Sequence, residues 1–430
     1  MTASGRQPQP PESGRAPELP HQNRRSVRQW VRVVGPGVIT GAAGDDPAGI
    51  GTYAQTGAQS GTGLLWLMLL ATPMLQVVQV TAAKLGIVTK KGLSGVLQEH
   101  YGFRVALFAA ILTALGNVLT MGADIAGIGA GFELIFGVRW QWFVIPVTIG
   151  IWYFQVYMDY RVVRKVFLLL SLSLVSYVIA GVLARPHWAL VLRDTFIPRF
   201  ELSMAFISTA VGLLGTTITP YMYYFQAAEV VDENTAIKRL DDTVADTTIG
   251  SIFTNLVSYF VILATATTLF AHHISINTAQ DAANALVPFA GKAAKYVFAV
   301  GMIGAGLLAI PVLAASTASM VGEVAGWRIG LSRSTSRARG FYLALTITLV
   351  FGVVITLSGI NPMKALFYSQ IGNGIIAPVI LFMLFRLASR RDILGEHVNS
   401  WKQQAWGWLT FGILVASVVL FFWGLATGRA

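Results

Sequence analysis

Apolar stretches long enough to cross a bilayer recur along the chain, each closed by a polar, glycine-rich or basic segment. They fall at roughly 33–57, 63–88, 104–135, 140–157, 163–184, 203–230, 247–271, 293–322, 340–359, 363–387 and 405–427, which predicts eleven membrane-spanning helices and no sheet. The first 30 residues break the pattern. They are rich in Pro, Gly and polar residues and carry no apolar core, so 1–30 reads as a disordered cytoplasmic tail rather than a signal peptide, and 31–430 as a transmembrane domain.

Composition fits this reading. With 54% hydrophobic and 12% charged residues, a soluble domain of 430 residues has no single core large enough to hide its apolar side chains. The absence of cysteine removes disulfide frameworks and thiolate metal sites. The net charge of +11 is unevenly spread. With the N-terminus inside, all Lys and Arg lie on the inner side except Arg139, Arg185, Arg193, Arg199, Lys292, Lys295, Lys364 and Arg429. That asymmetry predicts a multi-pass protein of the plasma or inner membrane with a cytoplasmic N-terminus. A basic inner face beside anionic lipid accounts for the charge without any nucleic-acid partner.

Two of the eleven spans are not written as regular helices. The first runs Gly35-Pro36-Gly37, then Gly44-Asp45-Asp46-Pro47-Ala48-Gly49, and the sixth runs Gly212-Leu-Leu-Gly215-Thr216-Thr217-Ile218-Thr219-Pro220-Tyr221. A mid-helix proline has no N–H for the carbonyl four residues back, so breaks are expected at Pro47-Ala48 and at Pro220. Backbone freed at membrane depth must be buried in protein or line a polar cavity. Because the breaks open spans one and six, ten spans divide into two groups of five, an inverted repeat of about 33–184 and 203–387 with an extra helix at about 405–427.

Ionisable residues narrow the site. A charge within a span costs about 2.5–3.5 kcal/mol on the insertion scale and is retained for function. Asp45, Asp46 and Asp124 lie in span interiors, whereas all six histidines fall in loops, the tail or span ends. A carboxylate at a helix break makes a pocket for a cation. Thr216, Thr217, Thr219, Tyr221 and Gln370 of span ten add oxygen donors, a set suited to hard divalent ions. Met222 is expected to pack away from it. The acidic segment Glu229, Asp232, Glu233, Asp241 and Asp242 reads as a solvated amphipathic connector.

The sequence Gly-Pro-Gly followed by Asp46-Pro47, then Leu64-Leu65-Trp66 and Lys84-Leu85-Gly86-Ile87-Val88-Thr89, resembles the Nramp family of divalent metal transporters over residues 33–427. The resemblance implies an all-α LeuT-type fold of 5+5 inverted repeats, with a metal site formed by an Asp-Pro-Gly-Asn break and a Met-Pro-His break. Asp46 and Pro47 match the first motif. Ala48 and Gly49 replace its Gly and Asn, and Thr219 and Tyr221 replace Met and His. By this correspondence Asp46, Gly49, Thr219 and Tyr221 are ligand positions; with Thr216 and Gln370 from the oxygen donors above they make up the expected metal site, and Asp45 and Asp124 are expected as outer-shell or relay acids.

Without sulfur or imidazole, the site resembles that of the Nramp-related magnesium transporters. The expected substrate is Mg2+, with Mn2+ also carried, and no cofactor is required. Of the family's proton relay, Asp124 matches the Asp, but Gly127 and Asn117 stand in place of its other two acids and Gln226 in place of its second histidine, so transport is expected to run without proton coupling. For a divalent ion about 4.6 kcal/mol per 100 mV is available from the membrane potential alone. The alternatives are a proton-coupled Mn2+ or Fe2+ transporter and a carrier of a small organic cation. A membrane enzyme lacks its constellation at depth, and a channel lacks its repeated filter.

Overall fold

A computed structural model describes residues 44–157, 175–287 and 291–428 of the chain. The predicted tail, residues 33–43 of span one and residues 163–174 of span five lie outside the described residues. Among the described residues the chain is all helical. The longer helices are, in order, α1 Pro47–Ser60, α2 Leu65–Thr89, α3 Leu93–Tyr101, α4 Phe103–Phe136, α5 Gln141–Tyr157, α6 Val175–Leu183 and α7 Trp188–Phe196. They are followed by α8 Met204–Thr217, α9 Pro220–Asp232, α10 Leu240–Thr268, α11 Ala294–Val324, α12 Arg339–Thr356, α13 Pro362–Ala388 and α14 Trp401–Ala426.

Eight stretches among the described residues are long and apolar enough to cross a membrane, with α8 and α9 counted as one. The other three of the eleven expected spans correspond to the 14 residues of α1, the 17 of α5 and the nine of α6. Span seven begins earlier than hydropathy indicated. Asp241 and Asp242 sit in the first turn of α10 rather than in a connector, where the positive end of the helix dipole favours them.

Both prolines stand at the first position of a helix rather than inside one. At that position the missing N–H has no partner to lose and the fixed φ suits the helix, so each proline starts the second half of a broken span. Ile218 and Thr219 form the gap between α8 and α9, with Thr219 extended at φ −75° and ψ 136°.

The bundle brings distant spans onto the breaks. α11 packs along α4, α10 along α1 and α2, and α8 along α13. The α8–α13 contact is backbone to backbone: a Cβ at Gly215 would stand 2.0 Å from the carbonyl oxygen of Gln370. A Cβ at Gly374 would stand 2.6 Å from the carbonyl oxygen of Val211. Small residues at membrane helix contacts permit this approach, which sets Gln370 beside the second break.

α4 shows how one helix serves two environments. Phe108, Ile111, Leu115 and Leu119 point outward and are about half exposed, while Thr113, Asn117, Thr120 and Asp124 are fully buried on the opposite face. Both stripes follow the three- and four-residue helical spacing. α14 is peripheral, with only 17% of its apolar window buried.

Candidate functional site at the two helix breaks

Asp46 is the cap of α1. Its backbone is extended, its Oδ1 accepts the N–H of Gly49, and its Oδ2 accepts the hydroxyl of Tyr221 at 3.2 Å. One carboxylate therefore spans both breaks. The N–H of Ala48 is taken by Asp124, whose Oδ1 accepts it at 2.9 Å. The two donors at the second and third positions of α1 are thus satisfied by two different aspartates, each offering charge to the positive end of the helix.

The hydroxyls around Asp46 are buried and available. Thr216 Oγ1 and Thr219 Oγ1 have no hydrogen-bond partner among the described residues, although both residues are nearly inaccessible. Gly49 opens a space beside Thr216: a Cβ there would lie 2.9 Å from Thr216 Oγ1, 3.1 Å from Asp46 Oδ1 and 3.6 Å from the carbonyl oxygen of Gly44. A carboxylate, a hydroxyl and a main-chain carbonyl therefore converge on one point. Buried polar atoms left unpaired cost about 1–3 kcal/mol each, a cost that a bound cation or its water removes.

Several expected roles change. Gly49 donates its N–H to Asp46, and its missing side chain keeps the convergence open. Asp45, expected as an outer-shell or relay acid, is 1% exposed and accepts the hydroxyl of Ser258 on α10 at 2.9 Å. Asp124 stands at the break itself, where it accepts the N–H of Ala48. Gln370 is buried beside the break, but its Oε1 accepts from Asn373 Nδ2 at 3.0 Å while its Nε2 has no partner among the described residues. In this orientation it presents an amide donor, and the amide must turn over to face a cation with oxygen. Thr217 is directed away, with its Oγ1 3.2 Å from the hydroxyl of Tyr53. Met222 is buried in an apolar cluster with Ile310 and Leu313, as expected of packing.

Ser316, Thr317, Thr120 and Asn373 escaped the sequence reading, which named Asn117 only as a relay position. Ser316 of α11 donates to the carbonyl oxygen of Tyr221 at 2.9 Å, holding the first turn of α9. Asn117 donates to Thr317, and Asn373 donates to Thr120, both at 2.9 Å. The stripe 113, 117, 120 and 124 on α4, with Asn373 three residues after Gln370, was the available signal. Gly127, where the relay's second acid was expected, would place a Cβ 2.9 Å from Pro47, so a longer side chain has no room without movement of the break. Among the described residues no three His, Cys, Asp or Glu side chains cluster as a metal site, which leaves Asp46 with hydroxyl and carbonyl neighbours.

The sequence model of the Nramp family, described as natural resistance-associated macrophage protein-like, matches residues 37–424. The chain belongs to the Nramp family. Among Nramp relatives, a divalent metal cation transporter MntH of Deinococcus radiodurans is 27% identical over 423 residues, covering 94% of this chain and 92% of its own length. The manganese transporter of Eremococcus coleocola superposes with a TM-score of 0.71 at 17% identity, over 95% of this chain and 97% of that one. MhsT, solved with L-phenylalanine, superposes at 0.62 and 12% identity, covering 90% and 98%. These likenesses give this Nramp protein a LeuT-type fold and make it a multi-pass membrane protein.

Proposed function

We propose that the protein carries divalent metal cations across the cell membrane by alternating access, with Mg2+ and Mn2+ as substrates and with the N-terminus in the cytoplasm. The observation that carries the proposal is the donor set at the breaks. Asp46, Thr216 Oγ1, Thr219 Oγ1, the Tyr221 hydroxyl and the Gly44 carbonyl oxygen supply only hard ligands. Oxygen donors suit magnesium and manganese, and the lack of sulfur and imidazole withdraws the preference for softer metals. A single carboxylate with neutral oxygens also suits an ion that keeps part of its water, as magnesium does. The names of the relatives, a divalent metal cation transporter and a manganese transporter, support the substrate class.

Uptake without protons is part of this proposal, supported by Gly127, Asn117 and Gln226 at the relay positions. A second reading, proton-coupled carriage of manganese or iron, is favoured by one observation: Asp124 Oδ2 is buried beside the break with no partner among the described residues. Purified protein in liposomes, loaded with a magnesium or manganese indicator and a pH dye, separates the two. Metal entry driven by an inside-negative potential at constant interior pH supports uncoupled transport. Acidification in step with metal entry supports the coupled reading, and no entry of either metal contradicts both.

A further inference from the structure

Asp45 and Asp46 are neighbours in sequence, but their carboxylates face different helices. Asp46 turns to Gly49 on α1 and Tyr221 on α9, whereas Asp45 turns to α10, where its Oδ1 accepts the hydroxyl of Ser258 at 2.9 Å. Thr254 lies one turn before Ser258 on the same face of α10, and its hydroxyl stands beside the same carboxylate. Tyr53 of α1 faces Asp45 and Ser258, and its hydroxyl lies 3.2 Å from Thr217 Oγ1 of α8. All five residues are buried. None of them belongs to the donor set proposed for the divalent ion.

This pocket holds fewer protons than its oxygens call for. Thr217 Oγ1 donates to the carbonyl oxygen of Leu213 at 2.8 Å, so the Tyr53 hydroxyl must donate to Thr217 and keeps only lone pairs for the pocket. Ser258 has one hydroxyl hydrogen, claimed at 2.9 Å both by Asp45 Oδ1 and by the carbonyl oxygen of Thr254. Asp45 Oδ2 is left with no hydrogen-bond partner among the described residues. The groups that act on Asp45 are Thr254, Ser258 and Asp46, none of them basic. Buried charge is otherwise paired or holds a metal, so a negative pocket with surplus lone pairs and no ammonium or guanidinium calls for a cation.

We propose that Asp45 Oδ2 and the hydroxyls of Tyr53, Thr254 and Ser258 hold a monovalent cation of the sodium class. One positive charge balances the pocket's single carboxylate, and a dication here would crowd any ion held by Asp46, one residue away. Every lining side chain is buried, and magnesium, which gives up its water reluctantly, is poorly suited to so closed a space. Bound there, the ion neutralises the carboxylate next to Asp46 and fastens the broken first span to α10. The site goes beyond the divalent-cation reading, and its test reads sodium separately from the divalent metals.

The test is equilibrium binding of radioactive sodium to the purified full-length protein, with choline chloride holding ionic strength constant. Saturable binding is expected for the unaltered chain and none for Asp45→Asn. Ser258→Ala removes one oxygen and leaves the break untouched, and is expected to weaken sodium binding by about tenfold. Should Asp45→Asn fail to fold, Ser258→Ala decides. No saturable binding by the unaltered chain overturns the proposal, as does undiminished affinity in Ser258→Ala or binding that survives in Asp45→Asn. Mn2+ binding, read by electron paramagnetic resonance on the same samples, keeps the two sites apart. Sodium binding with the expected losses but no bound Mn2+ upholds this site and removes the assignment at the break.

Discussion

Asp124 on α4 and Ala48 on α1 are joined by a 2.9 Å hydrogen bond from the Ala48 N–H to Asp124 Oδ1. The bond ties the third span to the broken first span one residue from Pro47. It leaves Asp46 to cap Gly49 and to meet Tyr221. Were Asp46 the sole cap, its carboxylate would be divided among two helix donors and a metal ion. With Asp124 taking one donor, Asp46 keeps lone pairs for a ligand. Replacing Asp124 by Asn preserves an acceptor for Ala48, whereas Ala leaves that N–H buried and unpaired at a cost of about 1–3 kcal/mol. Thermal unfolding in detergent should therefore show Asp124→Asn near the parent and Asp124→Ala clearly below it.

Gly49 holds the site open. A Cβ there meets Thr216 Oγ1 at 2.9 Å and Asp46 Oδ1 at 3.1 Å, within the space where an ion would be held. Overpacking of this kind costs about 1–3 kcal/mol, which as a loss of binding is about ten- to hundredfold. Gly49→Ala is expected to weaken magnesium uptake by that factor. Adding Thr216→Ala, which clears the collision, should not restore it, because a ligand oxygen goes with the obstruction.

Thr219 carries a buried hydroxyl with no partner among the described residues, at the position where the resemblance places methionine. Thr219→Met exchanges a hard donor for a soft one, so cadmium affinity should rise by about tenfold relative to magnesium. Competition binding with the two metals checks this. Flat cadmium affinity means that residue 219 faces away from the ion.

The chain contains no cysteine, so a single introduced thiol reports its surroundings without background. Glu233 is exposed at the end of α9, on the side assigned to the cytoplasm. Glu233→Cys should react with a membrane-impermeant thiol reagent in inside-out vesicles and resist it in right-side-out vesicles. The reverse pattern inverts the orientation.

Much of the fold was written in local terms. Spans two, three and ten appear as helices α2, α4 and α13 within two residues of their expected ends, because segment length and hydropathy are properties of consecutive residues. Proline placement likewise marked both breaks, since the lost N–H is a local fact. What escaped depends on which helix faces which. The pairing of Asp45 with Ser258 joins residues 213 apart, and the Asp124–Ala48 bond spans 76. Hydropathy carries no information on those partners. The closest approach of α8 and α13 at Gly215 and Gly374 was visible only as glycine, without a hint of which carbonyl each would meet.

The most direct test of the central claim, that Asp46 organises a site for hard divalent ions, is calorimetric titration of Mg2+ and Mn2+ into the purified protein and into Asp46→Ala. The account predicts saturable heat for both metals in the unaltered chain and loss of its tighter component in the variant. An identical titration in the two proteins would contradict the assignment, and no heat for either metal in the unaltered chain would contradict the divalent-cation reading itself.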